Sequence, residues 1–110
     1  MTTAELEARV RDDDRAVAIE LIGDIDGRAE AALDGAYAQV EGAENVLLDF
    51  SGVGYMNSTG IALIVGLLAR ARKNGHTLSA GGLSPHYREI FEITRLADFM
   101  TIVDDREESA

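Results

Sequence analysis

Between Val46 and Gly81 the hydrophobic period of the sequence changes from strand-like to helical and back, and this alternation restricts the fold more than any other feature. Val46-Leu47-Leu48-Asp49-Phe50 is a short, nearly continuous apolar run, the pattern of a strand covered on both faces in a parallel sheet. A loop, Ser51-Gly52-Val53-Gly54-Tyr55-Met56, leads into a long helical segment from Ser58 to about Asn74, closed by Gly75. Thr77 to Gly81 is strand-like again. Strand, helix and strand in that order make a crossover unit, which closes right-handed onto a parallel pair.

The flanking sequence extends the same plan. Leu6 to Val10 alternates apolar and charged residues, as a half-exposed strand does, and Ala16 to Ile22 resumes with Val17, Ile19 and Leu21 on one face. The polar turn Asp12-Asp13-Asp14 between them predicts an antiparallel hairpin. After the loop Gly23 to Gly27, Asp26 is placed to cap a helix from Arg28 to about Val40, whose Ala32, Leu33, Ala36, Tyr37 and Val40 recur at helical spacing. Ser84-Pro85 pairs an N-cap with a proline at the first helical position and opens a helix to about Thr94. Phe99 to Val103 is the last strand. The order β-β-α-β-α-β-α-β predicts an α/β fold: a mixed β-sheet with an N-terminal antiparallel hairpin and helices packed on it. With 110 residues the chain fits one domain, here 4–103, followed by an acidic C-terminal tail at 104–110.

Composition removes several function classes. No cysteine is present, which excludes disulfides, thiolate metal sites and cysteine nucleophiles. A net charge of −10 argues against nucleic acid as a partner, because phosphates would be repelled. The same charge serves solubility or a basic protein partner, and charge alone does not choose between these. The N-terminus lacks the basic and apolar regions of a secretory signal. The longest apolar stretch, Ile61 to Ala71, is interrupted by Arg70 and too short to span a bilayer, so no membrane contact and a cytoplasmic location are expected. No nucleophile elbow or phosphate-binding loop occurs, and no lysine lies beyond Lys73, where a receiver-type phosphoacceptor site would need one. His76 and His86, with no motif around them, read as surface residues. No catalytic residue, metal or cofactor is therefore expected.

The densest local signal is Tyr55-Met56-Asn57-Ser58-Thr59-Gly60, where loop becomes helix. Asn57 is a good N-cap, which places Ser58 at the first helical position with its hydroxyl near the surface. A phosphate on Ser58 would meet unpaired N–H groups and the positive end of the helix dipole, so the helix could accept a dianion without unfolding. Spacing alone is equally satisfied by a helix cap with no further role.

The stretch from Asn45 to Gly60, NVLLDFSGVGYMNSTG, resembles the signature of the STAS family of anti-sigma factor antagonists, in which an Asp-Ser-Ser/Thr-Gly motif opens the second helix. The likeness continues through IALIVGLLARARKNGHTLSAGGLSP and IFEITRLADFMTI. It implies partner switching: the unphosphorylated protein binds an anti-sigma factor that is a serine kinase, sigma factor is released, phosphorylation of Ser58 ends the complex, and a phosphoserine phosphatase restores it. By the same resemblance Thr59 is a neighbouring hydroxyl, Gly60 keeps the helix start open to close approach, and Asp24 matches an acidic residue that follows the second strand beside the phosphorylation site. A monomer is the simplest expectation. The alternative is a non-switching STAS scaffold or interaction subunit of a signalling assembly or lipid transporter. Asn57 stands where the family usually has aspartate, Arg95 where a glycine is common, and the family's final helix is shortened or missing.

Within the helix from Ser58, Ile61, Ile64, Val65 and Leu68 form the stripe expected to face the sheet. Leu63, Leu67 and Met56 fall outside it or at its edge, either buried beneath a neighbouring helix or available to a partner. Met56, Ala62 and Leu63 are expected to join Ser58 in a partner-facing patch, with Asp24, Asn57, Thr59 and Gly60 around it.

Overall fold

A computed structural model of the chain describes residues 5–12, 17–40 and 42–103. Strands β1 (Glu7–Asp12) and β2 (Val17–Ile25) form an antiparallel pair. A 3-10 turn at Gly27–Ala29 runs into helix α1 (Glu30–Gln39). Strand β3 (Asn45–Met56), helix α2 (Ser58–Lys73), strand β4 (Thr77–Gly81), helix α3 (Pro85–Ile93), a 3-10 turn at Leu96–Asp98 and strand β5 (Thr101–Ile102) follow. The five strands lie in the order β1-β2-β3-β4-β5, and every pair after the first is parallel. The expected mixed sheet and element order are therefore present. The turn expected at Asp12–Asp14 falls, beyond Asp12, outside the described residues, as does the acidic tail 104–110.

Because β2, β3, β4 and β5 advance across the sheet in one direction, right-handed crossovers place α1, α2 and α3 on the same face. Burial agrees. Ile19 and Leu21 of β2, Val46, Leu48 and Phe50 of β3, and Leu78 and Ala80 of β4 join Leu33, Tyr37, Ile64, Leu68 and Phe91 of the helices in one core. Phe50 and Phe91 meet edge to face with centroids 5.6 Å apart. The opposite face carries Arg11, Glu20, Leu47, Asp49 and Ser79, of which Arg11 and Glu20 pair at 2.7 Å. The expectation that β3 is covered on both faces is thus corrected: Leu47 is only half-buried, and the run reads as apolar because Asp49 is the sole polar interruption.

The sequence also stopped β2 and β3 too early. Ser51 to Met56, expected as a loop, continues β3 alongside β2, with Gly52 opposite Ile22 and Met56 opposite Ile25. The register slips between Glu20 and Ile22 and again between Gly23 and Asp24, so β3 bulges twice against its neighbour. Gly52 and Gly54, which look like loop residues, sit in this bulged stretch. Bulges bend and twist a strand, and here they set the angle at which β3 delivers the chain into α2.

Two helix ends follow the sequence closely. Gly75, at φ 78°, closes α2, its N–H bonded to the carbonyl of Arg72 while the N–H of His76 reaches that of Ala71, which is the double bond of a left-handed C-cap. Ser84 Oγ accepts from the N–H of Tyr87 at 3.3 Å, with Pro85 beginning α3. One expectation fails: His76 is half-buried, with Nδ1 2.7 Å from the hydroxyl of the fully buried Tyr37, whereas His86 is exposed as expected.

Candidate functional site

The junction of β3 and α2 lies at the end of the sheet where the parallel strands terminate, beside the last residue of β2. The carbonyl of Ile25 accepts from the N–H of Asn57 at 3.3 Å. Gly60 rests on that same carbonyl so closely that an added Cβ would stand 1.8 Å from its oxygen. No side chain fits there, and the glycine allows the first turn of α2 to seat against β2. Asn57, in extended conformation, accepts through its side-chain oxygen from the N–H of Gly60 at 2.8 Å.

Ser58 is consequently the first residue of α2, and it is exposed. The first turn of α2 contains no acidic residue, so the positive end of a 16-residue helix meets no carboxylate within its own turn. Thr59 is exposed too but leans on the turn before α1, where a Cβ on Gly27 would lie 3.5 Å from its methyl group.

The expected acidic neighbour needs correction. Strand β2 continues through Ile25, so Asp24 lies inside it, half-buried and paired with Tyr55, and Asp26 is the carboxylate that follows the strand. Asp26 Oδ1 accepts from the N–H of Arg28 at 2.9 Å and caps the 3-10 turn. The guanidinium of Arg28 folds back onto the same carboxylate, with Nη2 2.8 Å from Oδ2, and lies 3.9 Å from Glu5. Hydrogen bonds from the Arg28 side chain hold the Asp26 carboxyl below the usual carboxylate range. This pair went unnoticed in the sequence, although an aspartate two residues before an arginine at a helix start was its signal.

Of the residues expected to face a partner, Met56 does not reach the surface. Met56 is 4% exposed and belongs to the core; its N–H donates to the hydroxyl of Tyr87 at 2.8 Å, tying the end of β3 to α3. The two bulges of β3 cancel and leave Met56 in phase with the inward Phe50, a phase hidden when Ser51 to Met56 is read as a loop. Ala62 is exposed and Leu63 half-buried; both line a groove of about 250 Å³ between α1 and α2, with Glu30, Asp34 and Arg70 at its rim. Arg70 pairs with Asp34 at 2.8 Å. The stripe of α2 is also rotated from expectation: Gly60, Ile64, Leu67, Leu68 and Ala71 are buried, whereas Val65 is 45% exposed. The contact of Gly60 with Ile25 fixes that rotation, and a hydrophobicity pattern gives no weight to a glycine.

Among the described residues no three His, Asp or Glu side chains gather as a metal site, and no helix is long and apolar enough to cross a membrane. Asn57 to Gly60 thus form a capped helix start on which Ser58 and Thr59 are exposed, chemically suited to carry an anion and to meet a protein surface.

A family model described as Mlab, STAS domain matches residues 8–104. The anti-sigma-B factor antagonist of Staphylococcus epidermidis is 36% identical over 67 residues, which are 61% of this chain and 62% of that protein. The protein of the same name from Staphylococcus aureus (strain NCTC 8325 / PS 47) is 34% identical over 67 residues, again 61% of this chain and 62% of the relative. The chain therefore matches less than two thirds of the length of these relatives. An anti-sigma factor antagonist from Mycobacterium paratuberculosis superposes with a TM-score of 0.74 at 20% identity, covering 89% of this chain and 85% of that one. The phosphorylated form of the Bacillus cell fate determinant SpoIIAA gives 0.68 at 21% identity, covering 92% and 95%. At such identities the two structures speak for a shared fold.

Proposed function

Since this chain belongs to the STAS domain family, we propose that it is an anti-sigma factor antagonist: a binding protein, not an enzyme, that sequesters an anti-sigma factor serine kinase and is switched off by phosphorylation of Ser58. The observation that carries this reading is the exposed hydroxyl of Ser58 on the first turn of α2, capped by Asn57 and free of acidic neighbours in that turn. The names of the Staphylococcus relatives support the role, and the phosphorylated Bacillus neighbour supports the switch.

The physics of the switch is local. Unphosphorylated, the start of α2 and the adjoining Ala62 and Leu63 present a neutral surface to the partner. A phosphate adds about −1.5 to −2 charges at that surface. The free N–H groups and helix dipole hold the dianion in place, so the domain keeps its fold while the interface acquires a charge that is costly to desolvate and bury. A phosphoserine phosphatase reverses the change. The chain acts as a monomer in the cytoplasm, where sigma factors are.

Asn57 favours a second reading, a non-switching STAS scaffold or interaction subunit of a signalling assembly or lipid transporter. Asparagine keeps the cap but supplies no charge beside Ser58 for a kinase to read. Incubation with ATP, magnesium and the cognate anti-sigma kinase, followed by peptide mapping, separates the two. A single phosphate on Ser58, absent from Ser58→Ala, supports the switch. A stable complex with no phosphate supports the second reading.

A further inference from the structure

We infer that the groove between the C-terminal half of α2 and the segment after α3 is a second docking site, shaped for an acidic amphipathic helix of a partner protein. The groove has a volume of about 250 Å³, with Val65, Leu68, Ala69 and Leu96 among its apolar lining, Phe99 at one wall, and Arg72 and Arg95 at its edge. Of the large hydrophobic side chains left exposed, Val65 at 45% and Phe99 at 51% line it, and Ile93 at 72% immediately precedes its Thr94 wall. Such residues gathered at one depression mark an interaction surface more than scattered ones do.

Charge selects the occupant. The chain as a whole is strongly acidic, at −10, and most arginines of the described residues are already paired with carboxylates. Arg95 holds Asp98 at 3.1 Å, which offsets its charge. Arg72 instead stacks over the Phe99 ring, 4.9 Å from the centroid, and belongs to none of the ion pairs formed among the described residues. The groove is thus an apolar trough with a net positive edge on a negative molecule. A helix with apolar residues at i, i+3, i+4 and i+7 and flanking glutamates satisfies both features. Residues 104–110, which follow Val103, are acidic but include Ala110 as their one apolar side chain, so these seven residues do not supply the apolar ridge. A second copy of this chain would carry the same net charge of −10, and the long-range repulsion between the two copies opposes self-association.

The site is independent of the reading of Ser58. Val65 to Arg72 lie roughly 10–21 Å along the helix axis from Ser58, so a partner helix there leaves the start of α2 uncovered.

The test is an amide NMR titration of the full chain with a synthetic 16-residue amphipathic helix carrying leucines at that spacing and glutamate flanks, compared with its lysine-flanked counterpart. Saturable shifts confined to the neighbourhood of Val65, Ala69, Arg72, Leu96 and Phe99 are expected. Binding should weaken by roughly tenfold for the lysine-flanked peptide and for Arg72→Glu, an exposed substitution that leaves the remaining spectrum unchanged. Equal binding of both peptides, or no saturable shift in the groove, overturns the inference. So do groove shifts in the free protein that follow its own concentration, which assign the groove to a second copy. Groove shifts on replacing Asp104, Asp105, Glu107 and Glu108 with serine, without peptide, assign it to the tail and likewise overturn the inference.

Discussion

Gly60 is the residue on which the geometry of the site turns. A Cβ placed 1.8 Å from the Ile25 carbonyl forces α2 away from β2, because a backbone oxygen cannot swing aside as a side chain can. Gly60→Ala is expected to lower stability by about 3 kcal/mol or more, read as a reduced urea midpoint. Arg95 is the converse case. It is the one described non-glycine residue with positive φ, at 66°, and Arg95→Gly is expected to raise stability by about 1 kcal/mol, since the left-handed conformation costs a side-chain-bearing residue that much. Both positions were legible through the family resemblance, Gly60 as a point of close approach and Arg95 as a place where a glycine is common. Met56 was not, because Ser51 to Met56 reads as a glycine-containing loop, which hides that Met56 lies in phase with the inward Phe50 along one continuous strand.

At the scale of elements, the start of α2 and the turn before α1 set the electrostatics of the site. Asn57→Ala removes the cap of α2 and should cost about 1 kcal/mol, whereas Asn57→Asp keeps the accepting oxygen and adds a charge favoured by the helix dipole, for a gain of about 0.5 kcal/mol. Comparing their thermal midpoints with that of the unaltered chain checks both. The Asp26–Arg28 pair gives a pH signature. Its folded-state aspartate lies below the ordinary value of about 3.9, so the pair stabilises the fold above that value and ceases to do so as the pH falls through the depressed one. Asp26→Asn, which can still cap the turn, should therefore narrow the loss of stability on acidification below about pH 4, measured as urea midpoints down the acid limb. The sequence placed every helix start within two residues because Asp26, Asn57 and Ser84 are all caps. It misplaced the buried stripe of α2, since the rotation of that helix follows from a glycine packed on a distant strand.

At the scale of the molecule, one-sided packing explains how a small domain leaves surface for partners. All three helices share one face of the sheet and one core, and strands advancing in a single direction through right-handed crossovers allow no other arrangement. Element order made this architecture readable, but the hydrophobicity of β3 suggested coverage on both faces because Leu47 is apolar and yet faces away from the helices. The start of α2 and the groove at its other end are left open by that packing. The central claim is that Ser58 governs binding at the first of these. It is tested most directly by measuring the affinity of the cognate anti-sigma kinase for the chain before and after stoichiometric phosphorylation, with nucleotide held constant. Phosphorylation confined to Ser58 should weaken the complex by roughly a hundredfold or more, about 3 kcal/mol, while amide shifts outside the first turn of α2 stay in place. An affinity unchanged by phosphate on Ser58, or a switch that operates through Thr59 instead, would contradict the account.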